Sequence, residues 1–265
     1  MTLETNPAGR PPALELRDVR VDFPQGPDGQ MTVIDNLCFK VAPGEFVSIL
    51  GPSGCGKSTT LRLISDLQAP TEGEVLVDGR AVQGTPVSVG MMFQPDTLLP
   101  WLNVYRNVEL GLKLGGGPAG SSREARIREL IKLIQLDGFE SSYPHQLSGG
   151  MKKRVALAQL LAYDPSTFLM DEPFGALDAQ TKISIETEFL NIWQELKKTV
   201  LFITHDVEEA IALSDRVLVM SRRPGVIKKE FVIDIPRPRD FYEVRFTDAF
   251  RDTQDQVWHS LREEF

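Results

Sequence analysis

Gly51-Pro52-Ser53-Gly54-Cys55-Gly56-Lys57-Ser58 fits the pattern G-x-x-x-x-G-K-[ST]. Glycines at these places let the main chain curl, so that successive N–H groups and a helix N-terminus point at one anion. Just before it, Phe46 to Leu50 is a short apolar run that reads as a strand; from Lys57 onward, Leu61, Leu63 and Ile64 recur at helical spacing. Strand, loop and helix in that order predict a phosphate-binding loop. Lys57 is expected to reach the β- and γ-phosphates of a nucleoside triphosphate, the Ser58 hydroxyl to coordinate magnesium, and Thr59 to donate to the α-phosphate.

Upstream, Leu14 to Phe23 and Met31 to Val41 read as an antiparallel hairpin, with Pro24 to Gln30 as its turn. Downstream of Pro95 the texture becomes helical. Val104, Val108 and Leu112 trace one face and Ile127, Leu130, Ile131 and Ile134 a second. Gly115 to Gly120 connects them, Ser121 with Glu124 has the form of a capping box, and a third helix is expected from Ser148. Apolar strand-like runs return at Phe168 to Met170, Val200 to Thr204 and Val217 to Met220, with a long helix marked by Ile185, Phe189, Ile192 and Trp193 between the first two. Such alternation argues an α/β core with a parallel sheet covered on both faces. Beyond Arg237-Pro238-Arg239, the residues Phe250, Val257, Trp258 and Leu261 suggest a C-terminal helix.

Composition bounds the function. The 265 residues are 42% hydrophobic and 25% charged, ordinary for a globular chain of this size. No apolar run approaches the ~20 residues that span a bilayer, and Met1 to Pro12 is too polar for a signal peptide, so the chain is expected in the cytoplasm. A net charge of -8 with no long basic run argues against a nucleic-acid partner. Cys38 and Cys55 have no metal-ligand spacing and read as reduced thiols. Cys55 lies inside the phosphate loop, so its alkylation is expected to block nucleotide binding and bound nucleotide to slow the alkylation.

A magnesium nucleotide needs a carboxylate near the cation, and Asp171 ends an apolar strand where such an acid belongs. Glu172, one residue on, suits a general base that orients and deprotonates the attacking water. The plainer reading of this pair is two acids solvating a strand end. His205 closes the strand-like Leu201 to Thr204 and is placed to reach the γ-phosphate, although a lone histidine is more often structural. His145 and His259 have no comparable setting and read as surface or packing residues.

Leu147-Ser148-Gly149-Gly150-Met151, downstream of the phosphate loop and ahead of the acidic strand, resembles the signature motif of ATP-binding cassette (ABC) ATPases. The chain is similar to that family also at Gln94 (the Q-loop), at Gly175-Ala176-Leu177-Asp178 (the D-loop) and at His205 (the switch histidine). These motifs cover most of residues 14 to 235. The resemblance implies a P-loop NTPase core of RecA-like type over 14–94 and 162–235, with an antiparallel β subdomain, a helical subdomain inserted at about 95–161, and a C-terminal extension over 236–265. It further implies ATP and Mg2+ as ligands, and a head-to-tail homodimer in which each active site pairs one P-loop with the signature of the other chain. Ser148 and the free N–H groups of Gly149 and Gly150 at a helix start would supply that second anion-binding surface. Gln94 would couple γ-phosphate and metal contacts to movement of the helical subdomain. Phe23, in the loop region after the first strand, matches the aromatic that stacks on adenine, where the family more often carries tyrosine; a phenylalanine buried in the core is the other reading.

Met151 departs from the glutamine commonest at the fifth signature position, and Phe93-Gln94 runs on into Leu98-Leu99-Pro100-Trp101-Leu102-Asn103-Val104. With Arg222-Arg223-Pro224-Gly225 and Pro236-Arg237-Pro238-Arg239, these features resemble the ATPase subunits of nitrate, sulfonate and taurine importers. That likeness implies a small anionic solute, transmembrane permease subunits, a periplasmic or extracellular solute-binding protein, and a peripheral place on the cytoplasmic face of the cell membrane. The apolar stretch Asp96 to Leu102 would line the groove for a permease helix, or be buried within its subdomain. ABC proteins that act on nucleic acid carry long coiled-coil insertions or two cassettes, and this chain has one set of motifs at close spacing. Glu172 and His205 argue against a partner that only binds ATP.

Overall fold

The computed structural model describes residues 10–25, 29–84, 86–95, 97–175 and 177–264. Leu14–Gln25 (β1) and Gly29–Val41 (β2) pair antiparallel, from Leu14 opposite Val41 to Gln25 opposite Gly29. Pairing therefore runs further than the expected turn at Pro24 to Gln30, of which residues 26–28 lie outside the described residues. Phe46–Leu50 (β3) is buried at every position, as a strand covered on both faces must be. It leads through the phosphate loop into Lys57–Ile64 (α1), then Glu72–Val77 (β4) and Arg80–Ala81 (β5). Next come Val89–Met92 (β6), Val104–Leu114 (α2), Ser121–Leu133 (α3), Gly149–Tyr163 (α4), Thr167–Asp171 (β7) and Ala179–Leu196 (α5). Thr199–Ile203 (β8), Val207–Leu213 (α6), Arg216–Met220 (β9), Ile227–Val232 (β10) and Asp248–Arg262 (α7) complete the chain.

Its contacts divide the chain into two compact units. One unit consists of the residues up to Pro86 together with those from Lys197 onward. It holds the antiparallel sheet β2-β1-β4-β5, and β3 flanked by parallel β8 and β9, with β10 antiparallel on the far side of β9. In its core Phe46 meets Phe202 at a ring separation of 5.7 Å. The other unit, Val87–Leu196, holds the parallel pair β6 and β7 with helices α2 to α5. Phe174 and Phe189, both fully buried, pack at 5.9 Å there.

One local expectation is corrected. Ser121 is already helical and Gly120 stands at the N-cap without a side-chain bond, so no capping box forms; Glu124 instead pairs with Arg128 one turn on. Leu98 within the apolar stretch is buried while Trp101 is 69% exposed, so that stretch is neither wholly surface nor wholly core. Asn107 pins it, accepting from the Leu99 N–H at 2.9 Å and donating to the carbonyls of Leu99 and Leu102. Asp96 lies outside the described residues.

The Pro236-Arg237-Pro238-Arg239 segment clamps the C-terminal end of α6. Arg237 reaches the Leu213 carbonyl at 2.6 Å and Asp215 at 2.7 Å, and buried Arg239 donates to the carbonyls of Ile211, Ser214, Ile233 and Ile235. The carbonyls of Ile211, Leu213 and Ser214 are among those that the end of α6 leaves without helical partners, and cations favour that end of the dipole; those of Ile233 and Ile235 belong to the segment after β10. Burial pulls the Arg239 guanidinium down to about 10, which keeps it charged at neutral pH. Arg239→Met, which leaves those carbonyls unbonded in a dry place, is expected to cost roughly 3 kcal/mol in urea unfolding; a loss under about 0.5 kcal/mol would contradict the clamp.

Candidate functional site

In the first unit, Ile49 of β3 stands opposite Ile203 of β8, and Leu50 opposite Val219 of β9. Parallel strands in this register send three connections out of one sheet edge: the phosphate loop after Leu50, the turn with His205 after Ile203, and the turn Ser221 to Val226 after Met220. Ligands of open parallel sheets bind beyond that edge.

The phosphate loop is held by its own lysine. Lys57 Nζ donates to the carbonyls of Gly51 at 2.7 Å and Pro52 at 2.9 Å, closing the loop around a buried ammonium. Gly54 (φ 76°) and Gly56 (φ 111°) lie in the left-handed region that residues with a Cβ avoid. α1 starts directly at Lys57, and the N–H groups of a first helical turn have no carbonyl behind them. Ser58 and Thr59 on that turn are half-buried. Amide donors, a helix N-terminus and an ammonium, with no carboxylate in the loop, suit a polyphosphate.

Cys55 overturns the expectation of a reactive thiol inside this loop. It is only 1% exposed, and burial pushes its thiol up against the opposing pull of Lys57 and Arg223. Phe23 is not in a loop either: it lies within β1, half-buried, opposite Met31. His205 is exposed in a turn fixed on both sides. Asp206 caps α6 by accepting from the N–H groups of Glu208 and Glu209 at 2.9 and 3.3 Å, its own N–H donates to the Thr204 hydroxyl at 3.0 Å, and that hydroxyl is bonded to buried Glu209.

In the second unit, Met92 of β6 is opposite Met170 of β7. Two residues past each stand Gln94 and Glu172, and the Gln94 amide donates to the Glu172 carboxylate at 3.2 Å. Glu172 has φ 43°, an uncommon conformation for a residue with a side chain, and its carbonyl accepts from the Gly175 N–H at 3.2 Å. Asp171 is the last residue of β7 and half-buried. Ser148 caps α4, its hydroxyl accepting from the Met151 N–H at 3.3 Å, with Gly149 and Gly150 in the first turn. Asp178 accepts from the Thr181 N–H at 3.0 Å at the start of α5, a bond that holds its carboxyl below the usual range. An open cleft of about 460 Å³ lies between the Ser148–Gly150 turn and this start of α5. Ala176 is outside the described residues.

The family model described as ABC transporter matches residues 34–175. The chain belongs to the ABC transporter family. Among its relatives are an uncharacterised ABC transporter ATP-binding protein of Methanocaldococcus jannaschii, 50% identical over 88% of both chains, and an aliphatic sulfonates import ATP-binding protein of Bacillus cereus, 42% identical over 82% of this chain and 87% of that one. A nitrate import ATP-binding protein of a Synechocystis species is 42% identical over 94% of this chain and 95% of that one. A solved ATP-binding cassette, dimeric in a post-hydrolysis state bound to ADP and Pi, superposes with a TM-score of 0.74 at 34% identity, covering 84% of this chain and 100% of that one. This cassette therefore has the P-loop ATPase fold.

Sequence reasoning missed Lys153. Only 4% exposed on α4, it donates from Nζ to the Gln94 carbonyl at 2.6 Å and so ties the helix that begins with Ser148-Gly149-Gly150 to the residue beside Glu172. The available signal was a cation one turn after Gly150, on the face that carries Leu157 into the core. Lys153→Met keeps the apolar stem and removes the donor. In the cassette it is expected to lower ATP turnover roughly tenfold or more through misplaced Gln94 and Glu172, with helix content by circular dichroism unchanged; unaltered turnover would leave the bond structural only. Separately, iodoacetamide on the folded cassette is expected to label exposed Cys38 and to reach Cys55 only after unfolding, as peptide mass analysis would reveal.

Proposed function

We propose that this cassette is the ATP-hydrolysing subunit of an importer for a small anionic solute of the nitrate, sulfonate or taurine type. The observation that carries the reading is the phosphate loop drawn shut by Lys57 at the start of α1, because that arrangement has little use except to grip a polyphosphate. Relatives that by name import aliphatic sulfonates and nitrate support the solute class. Residues 14–235 form the ATPase domain in this reading and 236–265 an extension.

The loop Gly51 to Thr59 binds the phosphates, and Phe23 stacks on the adenine. Ser58, Asp171 and Gln94 are the magnesium ligands: a hydroxyl, a carboxylate and an amide are the oxygen donors that this hard cation takes, with phosphate oxygens completing its shell. When bound, the magnesium neutralises charge on the transferring phosphoryl group. Glu172 accepts the proton of the attacking water, and its bond to Gln94 keeps the carboxylate turned toward the residue that senses the γ-phosphate. His205 donates to the γ-phosphate from its fixed turn. Ser148, Gly149 and Gly150 bind the nucleotide of a second copy, with Asp178 at the seam, so ATP draws two cassettes together and hydrolysis releases them.

No described helix is long and apolar enough to cross a membrane. In this reading, as the importer relatives suggest, the cassette works with transmembrane permease subunits and a periplasmic or extracellular solute-binding protein. Exposed Trp101, within the stretch anchored by Asn107, is the side chain best suited to meet the permease from the cytoplasmic face of the membrane.

Glu172→Gln is expected to abolish turnover while ATP-dependent dimers persist on gel filtration. Unchanged turnover would remove Glu172 from its role. With the permease co-purified, nitrate, an alkyl sulfonate and taurine can be compared in the presence of their binding protein for stimulation of ATPase activity; failure of all three would reject the solute class.

A further inference from the structure

We propose that Arg223 is a further nucleotide-binding residue, whose guanidinium closes on the polyphosphate from the turn between β9 and β10. The proposal rests on the reading of Gly51 to Ser58 as the ATP site, and it assigns a role to the Arg222-Arg223-Pro224-Gly225 stretch that the importer likeness leaves without one.

The turn is built into the site. β9 runs parallel beside β3, so its exit lies next to the phosphate loop. Gly225 donates to the Val33 carbonyl at 2.8 Å and accepts from the Asp35 N–H at 3.2 Å, which pins the turn to β2. Ser221 closes it from within, donating to the Pro224 carbonyl at 2.9 Å and accepting from the Val226 N–H at 3.0 Å. A Cβ on Gly225 would stand 2.1 Å from the carbonyl oxygen of Cys55, so the turn lies directly against the loop's main chain and only glycine fits there.

From this base Arg223 reaches across the loop's rim. Its Nη2 is 3.1 Å from where a Gly54 Cβ would be, and its Nη1 donates to the Met31 thioether at 3.0 Å. Met31 is the cross-strand partner of Phe23. The guanidinium thus spans from the glycines of the phosphate loop to the ladder that carries the candidate adenine platform. Among the described residues no carboxylate pairs with it, whereas Arg216 pairs with Glu45 and Glu230, and Arg237 with Asp215. A thioether is a weak acceptor, and a guanidinium has five donors in a planar fork that matches two phosphate oxygens. A phosphate entering the loop offers what Met31 cannot, and the exposed arginine has only to swing from sulfur to oxygen. The charge already acts on the loop, since it opposes the upward shift of the Cys55 thiol.

The test is calorimetric titration of the full-length protein with Mg-ADP, which needs no second cassette, and with adenosine. Four variants are compared with the native chain: Arg223→Ala, Arg223→Lys, Arg222→Ala and Lys57→Ala. Arg223→Ala is expected to weaken Mg-ADP by about tenfold or more while leaving adenosine affinity and the nucleotide-free melting temperature unchanged. Arg223→Lys should recover part of the loss, because it keeps the charge without the fork, and Arg222→Ala should stay within about twofold of native as a control for one surface charge. Native-like Mg-ADP affinity in Arg223→Ala, with Lys57→Ala impaired, would overturn the assignment and leave the ATP site standing. An equal loss for adenosine would overturn it too, moving the contact to base or ribose. Native-like affinity in Lys57→Ala as well would instead bring down the ATP-site reading on which the proposal rests.

Discussion

The bond from the Lys57 ammonium to the carbonyls of Gly51 and Pro52 is the constraint on which the rest of the first unit depends. Turned inward, those carbonyls do not oppose an anion at the mouth of the loop, and the left-handed glycines 54 and 56 let the chain double back into α1. The loop can be held this way only because β3 is buried between two parallel neighbours and cannot shift along them without breaking both ladders. The continuous apolar run Phe46 to Leu50 thus does more than fill the core: it sets the depth at which the phosphate loop emerges, level with the turn of His205 on one side and that of Arg223 on the other.

The second unit uses the same device on a smaller scale. Parallel pairing of β6 with β7 brings Gln94 beside Glu172 by register alone, two residues past the last paired methionines. The α4 helix is joined to this point by a buried ammonium, so a disturbance at Ser148 and one at Gln94 share a rigid connection through Lys153. Each unit therefore presents its polar residues from strand ends and helix starts, where main-chain groups are already unpaired, and leaves its strand interiors apolar.

Much of this was legible in the amino-acid order. The strands β3, β7, β8 and β9 are apolar runs with abrupt polar ends, and α2, α3 and α5 repeat their apolar residues at three and four, signals that survive any packing detail. The phosphate loop was legible because few residue types tolerate the backbone at Gly54 and Gly56, and the Ser148 cap because few side chains can accept from the first turn of a helix. Less legible were effects of contact between distant segments. Ser121 and Glu124 have the letters of a capping box, yet the helix starts one residue early, after a glycine with positive φ. The first strand reads as ending at Phe23 because Pro24 follows, but proline is tolerated in a strand where its missing N–H is not needed, and the hairpin continues to Gln25, which keeps Phe23 out of a loop. Cys55 reads as reachable because its neighbours bind a solute, while the approach of Gly225 and Met220 seals it off, and Lys153 looks like a surface residue until the Gln94 carbonyl is set beside it.

If main-chain amides of this loop grip the phosphates, amide resonances of the 15N-labelled protein should report it directly. On titration with Mg-ADP, the N–H signals of residues 54 to 59 are expected to move together and saturate at one equivalent per chain, with smaller movement along β4 and α7. Loop resonances that stay in place at saturating nucleotide, or that move no more than those of α7, would contradict the account.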